Sequence, residues 1–480
     1  MHELHLPWLA LTVLTPLLGA IFISRIRNWE IAQKVCVAVC GLTLAWSVGA
    51  YIDFTLLQSF EAYDKWNLAE GVISSDAIVI DALSAPLLPL AALLYLITVG
   101  STLRTKMSRI YFTWTLLAES VLLATFCCRN PWWLIACLVL ATIPPWFELR
   151  VRRRSTRVYV AHMGLFVVLL VSGQFLVDSS DSSSTLFLLG VALLTAGALL
   201  RNGVSPLHCW MTDLFDKATL GTALLFVTPM TGVYAVMRLV LPVSPDWALR
   251  AIALISLATA VYAAGMAFVQ REARRCFCFL FLSLSSLILV GLELVTPMGL
   301  TGALCVWLSV ELSLTGFGLT LRAVEGRVGR ISLNHYHGLY ESTPTLAALF
   351  LVTGLASIGF PGTVGFVGTE LLIEGSVSTN PLVGMVVVTA AALNSIAVLF
   401  VYFRVFTGTR HQASISLQSR LPERIAVISV IVIILCGGIH PQPGVASRHR
   451  AAAELMRIRA QNAPPPQHAR FVSLPEVSAQ

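Results

Sequence analysis

The chain has 480 residues, of which 56% are hydrophobic and only 12% are charged. Soluble domains carry about 25% charged residues, so this composition excludes an ordinary soluble protein. The net charge of +7 is not gathered into a basic patch interleaved with aromatic residues, and we therefore expect no nucleic-acid partner.

Apolar runs recur along the whole chain. Crossing about 30 Å of hydrocarbon takes about 20 apolar residues in a helix, and these runs are long enough. They predict an all-α polytopic protein of the lipid bilayer with about 14 transmembrane helices. The predicted spans lie near 7–24, 33–54, 82–102, 111–128, 131–149, 157–177, 185–205, 219–240, 248–269, 276–294, 299–321, 346–376, 383–405 and 423–441.

Basic residues follow every second span. Arg104 and Arg150 belong to such basic loops, whereas the alternate loops, such as 53–81, are neutral or acidic. Positively charged loops stay in the cytoplasm, so this pattern places the N-terminus outside, in a bacterial inner membrane. We predict a single membrane domain over residues 1–445 and a short polar, partly disordered tail over 446–480.

Two predicted spans are interrupted by helix breakers. The segment Thr185–Asp213 contains Gly203 and Pro206, and the segment Leu349–Gly375 contains Pro361 and Gly362. Backbone groups freed by a break at membrane depth need a protein-lined or wet cavity. Breaks at corresponding places in two halves are typical of inverted repeats, which we predict near 111–240 and 248–405.

Several ionisable residues fall inside predicted spans. A charge at the bilayer centre costs about 2.5–3.5 kcal/mol on insertion scales, so each residue is a candidate for function. Residues near span ends can instead extend to the interface, which is the alternative for Glu148, Arg238 and Glu293. The candidates for a proton path are Glu119, Glu148, Arg201, Glu311, Glu370 and Glu374.

Cysteine and histidine spacing gives no sign of a cofactor. Ten cysteines occur without a CxxC pair or a four-cysteine cluster, and no HExxH or Walker motif appears. We expect neither a metal nor a cofactor in this chain.

Four segments resemble the antiporter-like membrane subunits of respiratory complex I and of Mrp-type cation/proton antiporters. PLHCWMTDLFDKAT (206–219) is similar to the family pattern PLHxWLPDAHxxAPT, and GVYAVMR (232–238) to GVYLLLR. GLASIGFPGTVGFVGTELLIEG (354–375) and HPQPGV (440–445) resemble subunit M, also called chain 4, in particular. The resemblance implies other membrane subunits as partners, protons as the transported ion, and NADH, quinone, flavin and iron–sulfur clusters in partner subunits only.

The sequence departs from the family at the positions that carry its proton chemistry. Val139 and Met230 stand where the family has Glu and Lys or His, and Arg201 stands at a Lys position. Thr369 replaces a glutamate, with Glu370 one residue later. Arginine keeps its charge without releasing a proton, so Arg201 can act as a fixed cation but not as a relay.

Three interpretations remain at this stage. The chain is a proton-translocating subunit of an NADH:quinone oxidoreductase-like complex, a subunit of a cation/proton antiporter or inorganic-carbon uptake complex, or a structural paralogue that no longer pumps. Under the first, Glu370 is the exchangeable carboxylate opposite Arg201, and Glu311 links the two halves.

Overall fold

The computed structural model describes residues 2–64, 78–102, 111–181, 184–292, 296–409 and 419–462. Helices dominate these residues, as the sequence predicts. The first half contains α1 (Trp8–Ile23), α2 (Trp29–Leu57), α3 (Leu87–Gly100), α4 (Phe112–Cys127), α5 (Pro131–Leu140), α6 (Ile143–Val151), α7 (Arg157–Ser179), α8 (Thr185–Asn202), α9 (Cys209–Lys217), α10 (Leu220–Val227), α11 (Thr231–Ala235) and a π-helical turn (Val236–Val240). The second half contains α12 (Asp246–Val269), α13 (Ala273–Val290), α14 (Pro297–Val328), α15 (Pro344–Ser357), α16 (Val364–Thr379), α17 (Pro381–Phe406), α18 (Leu421–Ile439) and α19 (Gln442–Asn462).

Every predicted span coincides with a helix or an interrupted helix. Ten of these, within the described ranges, are long and apolar enough to cross a membrane, and four shorter apolar helices accompany them. The prediction of a helical polytopic membrane protein is therefore confirmed, whereas the exact number of crossings stays a prediction.

Three short strands form a small sheet that the sequence analysis missed. β1 (His2–Leu4) pairs in parallel with β2 (Glu61–Asp64), which pairs antiparallel with β3 (Ile80–Asp81). The sheet lies where α1 begins and α2 ends, at what we call the sheet end of the bundle. The opposite end, where the Arg-rich loops lie, is called the basic end.

Side chains of the sheet fix the start of α1. The Asp64 carboxylate accepts hydrogen bonds from the backbone N–H groups of Leu9 (3.0 Å) and Ala10 (2.7 Å). The first N–H groups of a helix have no partner within it, and a carboxylate there also matches the helix dipole. The strands therefore anchor the first helix although they contain few residues.

Burial divides the helices into two classes. Almost every residue of α13 and α14 is buried, so these helices form the centre of the bundle. By contrast, α7 and α17 are more apolar than α13 and α14 but expose large side chains such as Phe175 and Leu382. Apolar helices with exposed apolar faces are suited to contact with the lipid of the bilayer.

The final helix belongs to the folded domain rather than to a separate polar tail. α19 packs against α14, and its Ala451 and Ala452 are fully buried. Arg448 is also buried and donates to the backbone carbonyls of Ala82 (2.6 Å) and Leu83 (3.2 Å). The predicted boundary at 445/446 thus falls inside α19, and residues 463–480 lie outside the described residues.

Candidate functional site

The first helix break is closed by a left-handed glycine. Gly203 follows α8 with φ +74°, a conformation that a side chain disfavours. Its N–H donates to the Leu200 carbonyl (3.0 Å), and the N–H of Val204 donates to the Leu199 carbonyl (3.1 Å). These paired bonds form a Schellman motif, so carbonyls freed by the break have partners within the protein.

The second break repeats this arrangement. Gly359 follows α15 with φ +77°, and its N–H donates to the Ala356 carbonyl (3.2 Å) while Phe360 donates to Leu355 (3.2 Å). Pro361 and Gly362, which the sequence analysis selected, lie just beyond this motif. Both breaks fall in the fourth helical span of the predicted repeats, although the repeat relationship itself stays a prediction.

Arg201 lies in the last turn of α8 with 3% of its surface exposed. Its Nη2 donates to the Phe226 carbonyl at 3.1 Å, and its guanidinium carbon lies 3.9 Å from the centre of the Phe226 ring. The centre of the Trp210 ring lies 5.4 Å from the same guanidinium carbon. Stacking and one charged hydrogen bond hold the guanidinium in place, as expected of a fixed cation.

Glu148 is buried in α6 rather than extended to the membrane interface. It accepts hydrogen bonds from the backbone N–H of Thr219 (2.7 Å), the N-cap residue of α10, and from the Thr222 hydroxyl in the first turn of that helix. Arg152, one turn later, forms an ion pair with it at 3.0 Å. The carboxylate therefore binds the N-terminus of α10, where the helix dipole favours negative charge.

The helix α10 connects Glu148 to Arg201. The carboxylate contacts its first turn, and the guanidinium contacts the Phe226 carbonyl in its last turn. A negative group at the N-terminus and a cation at the C-terminus are the two placements that a helix dipole favours. Neither Thr219 nor Phe226 was predicted as part of a site, because only the folded chain brings them to the two charges.

A single cavity of about 50 Å³ is lined by both Glu148 and Arg201. Thr222, Thr231 and Tyr95 add hydroxyl groups to its wall. A water needs about 10–15 Å³ of such volume and two or more polar partners, so the cavity has room for a few waters. Arg201 Nε and the Thr231 hydroxyl have no hydrogen-bond partner within the described residues, and water in this cavity could satisfy them.

Two further predicted carboxylates are fully buried. Glu119 in α4 accepts a hydrogen bond from the Cys40 thiol at 3.1 Å, and its Oε1 has no partner in the described residues. Glu311 lies in the middle of α14, and neither of its oxygens has a partner there. A buried carboxylate without a hydrogen-bond partner destabilises the fold unless it binds water or exchanges a proton during function.

A line of buried polar side chains also crosses α12, α13 and α17. The Asn394 amide donates to the Ser283 hydroxyl (2.8 Å), which donates to the Ala260 carbonyl (2.8 Å). Closer to the first break, the Ser205 N–H donates to the Thr259 hydroxyl at 3.2 Å. Polar residues of this kind were not selected from the sequence, since Ser, Thr and Asn are common in membrane helices.

The second break has a smaller, mainly apolar cavity of about 20 Å³. Thr369 lines this cavity, and its hydroxyl donates to the Gly365 carbonyl at 2.9 Å. Glu370 and Glu374 lie on the exposed face of α16, because one residue along a helix turns a side chain by about 100°. The structure therefore does not bring these two glutamates into the cavity at the break.

The remaining sequence candidates have clear positions. Val139 is partly buried against the core, and Met230 is buried between α10 and α11 with φ +49°. Arg238 is not free to extend to the interface, because it forms an ion pair with Asp81 at 2.6 Å. Glu293 lies outside the described residues.

Comparison with known proteins finds a family match in the middle of the chain. Residues 162–394 match the transmembrane family described as NADH:quinone oxidoreductase/Mrp antiporter. The chain resembles antiporter-like membrane subunits over this stretch. A relative from Trichodesmium erythraeum, NAD(P)H-quinone oxidoreductase chain 4 2, is 24% identical over 79% of this chain and 73% of its own length.

Two solved structures share the fold of this chain over nearly its whole length. A chain in the Mrp complex from Dietzia sp. DQ12-45-1b is 18% identical, with a TM-score of 0.82 over 95% of this chain and 99% of that one. A chain of respiratory complex I from Thermus thermophilus is 20% identical, with a TM-score of 0.82 over 94% and 99%. Equal similarity to both assemblies means that the fold alone does not separate them.

Proposed function

We propose that this antiporter-like subunit translocates protons within an NADH:quinone oxidoreductase-like complex and occupies the place of subunit M. The observation that carries the proposal is one cavity of about 50 Å³ that is lined by both Glu148 and Arg201. One short helix connects the carboxylate to the cation. When the carboxylate binds a proton, the electrostatic field at the cation changes. The sequence patterns in 354–375 and 440–445 support the subunit M assignment.

Glu148 is the exchangeable group in this mechanism. When it binds a proton, α10 loses the negative partner at its N-terminus, and the interaction between Glu148 and Arg152 weakens. Arg201 remains charged throughout and holds the other end of α10 through the Phe226 carbonyl. The proton then moves through cavity water, and Glu119 and Glu311 are the fully buried carboxylates that extend the path beyond the cavity.

Exposed Glu370 has no role in this internal path, which revises its assignment as the exchangeable carboxylate. With Thr369 at the second break and Glu370 outside its cavity, no carboxylate among the described residues lines that cavity. The same feature supports the alternative of a structural paralogue that no longer pumps. The Mrp-like fold supports the other alternative, a cation/proton antiporter.

The assembly supplies what this chain lacks. The partners are other membrane subunits, and NADH, flavin, quinone and iron–sulfur clusters belong to partner subunits. Among the described residues, no group of three or more His, Cys, Asp or Glu side chains could hold a metal ion. The basic end faces the cytoplasm of a bacterial inner membrane, which places the sheet end and the N-terminus outside.

Matched glutamine substitutions test the path. Glu148→Gln and Glu370→Gln make the same chemical change, one at the cavity and one on the exposed face. In proteoliposomes containing the purified complex, we expect Glu148→Gln to lower proton movement per electron pair while Glu370→Gln leaves it unchanged. Equal pumping in both variants would remove Glu148 from the path, and a loss in Glu370→Gln alone would restore the original assignment.

Purification of the tagged chain in mild detergent tests the assembly. Stoichiometric flavin and iron–sulfur subunits, identified by mass spectrometry, are expected from a complex I-like role. Recovery with other antiporter-like chains but no redox subunit would instead establish the antiporter alternative.

A further inference from the structure

A large groove opens at the basic end between α2, α3 and α18. Its volume is about 760 Å³, far larger than the cavity at Arg201. Leu93, Leu96 and Ile97 of α3 form the floor, and Val37 of α2 and Ile425 of α18 form the sides. At 1.5 Å per residue, the floor from Leu93 to Gly100 is about 10 Å long, so the groove follows the direction of a lipid acyl chain.

Positive charge lies at the mouth of the groove. Lys34 and Arg420 both line it, both are exposed, and neither forms an ion pair with a described residue. The acidic residue in the lining, Glu423, is already neutralised by an ion pair with Arg327 at 2.5 Å. The mouth therefore presents two cations without a matching anion in this part of the chain.

The deep part of the mouth is open because no side chain fills it. A Cβ atom placed on Gly100 would meet nothing within 4 Å. The Gln33 side chain donates to the carbonyls of Val99 (3.2 Å) and Thr102 (3.2 Å), which holds α2 beside the end of α3. The groove is thus an ordered surface feature with unfilled space between its walls.

We propose that this groove binds an anionic glycerophospholipid of the leaflet at the basic end. The acyl chains lie along the apolar floor, and the phosphate is held by Lys34 and Arg420 at headgroup level. Basic pockets between transmembrane helices at the cytoplasmic side suit acidic lipid headgroups. A neutral apolar helix from a partner would fill the floor but would leave both cations unmatched. The proposal is independent of whether the chain pumps protons.

Lipid titration of the purified complex tests the headgroup contacts. The complex is delipidated, titrated with dioleoyl-phosphatidylglycerol or dioleoyl-phosphatidylcholine, and analysed by native mass spectrometry. A basic residue near an anionic surface contributes about 1 kcal/mol, which corresponds to about fivefold in affinity. We expect Lys34→Ala and Arg420→Ala each to weaken phosphatidylglycerol binding about fivefold, without weakening phosphatidylcholine. Equal binding of both lipids in all variants would overturn the proposal.

Filling the groove provides a second test with a matched control. Gly100→Leu places a side chain in open space, so it should block the lipid without disturbing the fold. Gly164→Leu makes the same change at an equally open glycine on the exposed face of α7. We expect bound phosphatidylglycerol to fall by one molecule in Gly100→Leu only. Unchanged lipid counts in that variant would contradict the proposal.

Photo-leucine in place of Leu96, which lines the groove, keeps the size of the side chain and distinguishes lipid from protein as the occupant. Illumination of the complex in nanodiscs containing phosphatidylglycerol should yield a phospholipid adduct of this chain. A cross-link to a partner subunit instead of lipid would show that a protein segment covers the groove, and the proposal would be wrong.

Discussion

Removing the charges of Glu148 and Arg201 together should lower the free energy of unfolding by less than the sum of the two single changes. The two residues bind opposite ends of α10, and the seven helical steps from Thr219 to Phe226 span about 10 Å. Two unit charges at that distance interact by about 1.7 kcal/mol at an effective dielectric constant of about 20. Arg152 shares the charge of Glu148, so about 1.7 kcal/mol is an upper value.

The assay is a double-mutant cycle on the free energy of unfolding. Glu148→Gln keeps an oxygen to accept from the Thr219 N–H, and Arg201→Met keeps an unbranched side chain, so both changes mainly remove charge. The single variants and the double variant are unfolded reversibly in mixed micelles. We expect an interaction energy of about 1–1.7 kcal/mol between the two sites.

A second cycle provides the control. Glu370→Gln combined with Arg201→Met changes the same charges, but Glu370 lies on the exposed face of α16. That pair should be additive within about 0.5 kcal/mol. If the Glu148 and Arg201 variants were also additive within this limit, α10 would not couple the two charges and the mechanism would be refuted.

Two other predictions concern the second break and the sheet end. Gly359→Ala should lower the free energy of unfolding by about 1–2 kcal/mol, because φ is +77° and the new Cβ would lie 2.5 Å from the Thr369 hydroxyl. The control is Gly164→Ala, where the new Cβ lies in open space and the free energy should fall far less. Equal decreases in the two variants would contradict the left-handed turn. Burial by itself raises the pKa of Asp81, but the Arg238 charge 2.6 Å away outweighs burial and holds that pKa below 3.8. Because a lowered carboxyl pKa stabilises the fold above the unfolded value, this contribution should be constant at neutral pH and be lost only as pH falls below 3.8. The free energy of unfolding is measured from neutral to acid pH. The part of its decrease that Asp81 causes at acid pH should be absent in Asp81→Asn. If that part began near neutral pH in the unchanged protein, the assignment would be refuted.

Much of the architecture could be predicted from local sequence. Apolar runs predicted the helices, because a backbone in hydrocarbon must satisfy its own hydrogen bonds. The breaks near Gly203 and Pro361 were also identified, because glycine and proline act on their immediate neighbours. Gly359 was missed as the left-handed residue of the second break, since several glycines in that segment were equally suitable.

The positions of the charges could not be predicted in the same way. Glu148 is near the end of its predicted span, and its contact with Thr219 depends on how α6 packs against α10. Glu370 is adjacent to the family's glutamate position, but the turn of the helix places it on the outer face. The three short strands were missed because they are anchored by contacts distant in sequence, such as the Asp64 bonds to the start of α1.

The sequence by itself determined that this chain is a membrane protein of helices with two interrupted spans, and its motifs indicated the antiporter-like family. These properties follow from residue type and short spacing, because hydrophobicity, helix propensity and helix breaking act locally. Only the tertiary structure decided which charged residues share a cavity. Burial, ion pairing and access to water depend on helix packing, and packing joined Glu148 to Arg201 through α10 while it left Glu370 on the surface.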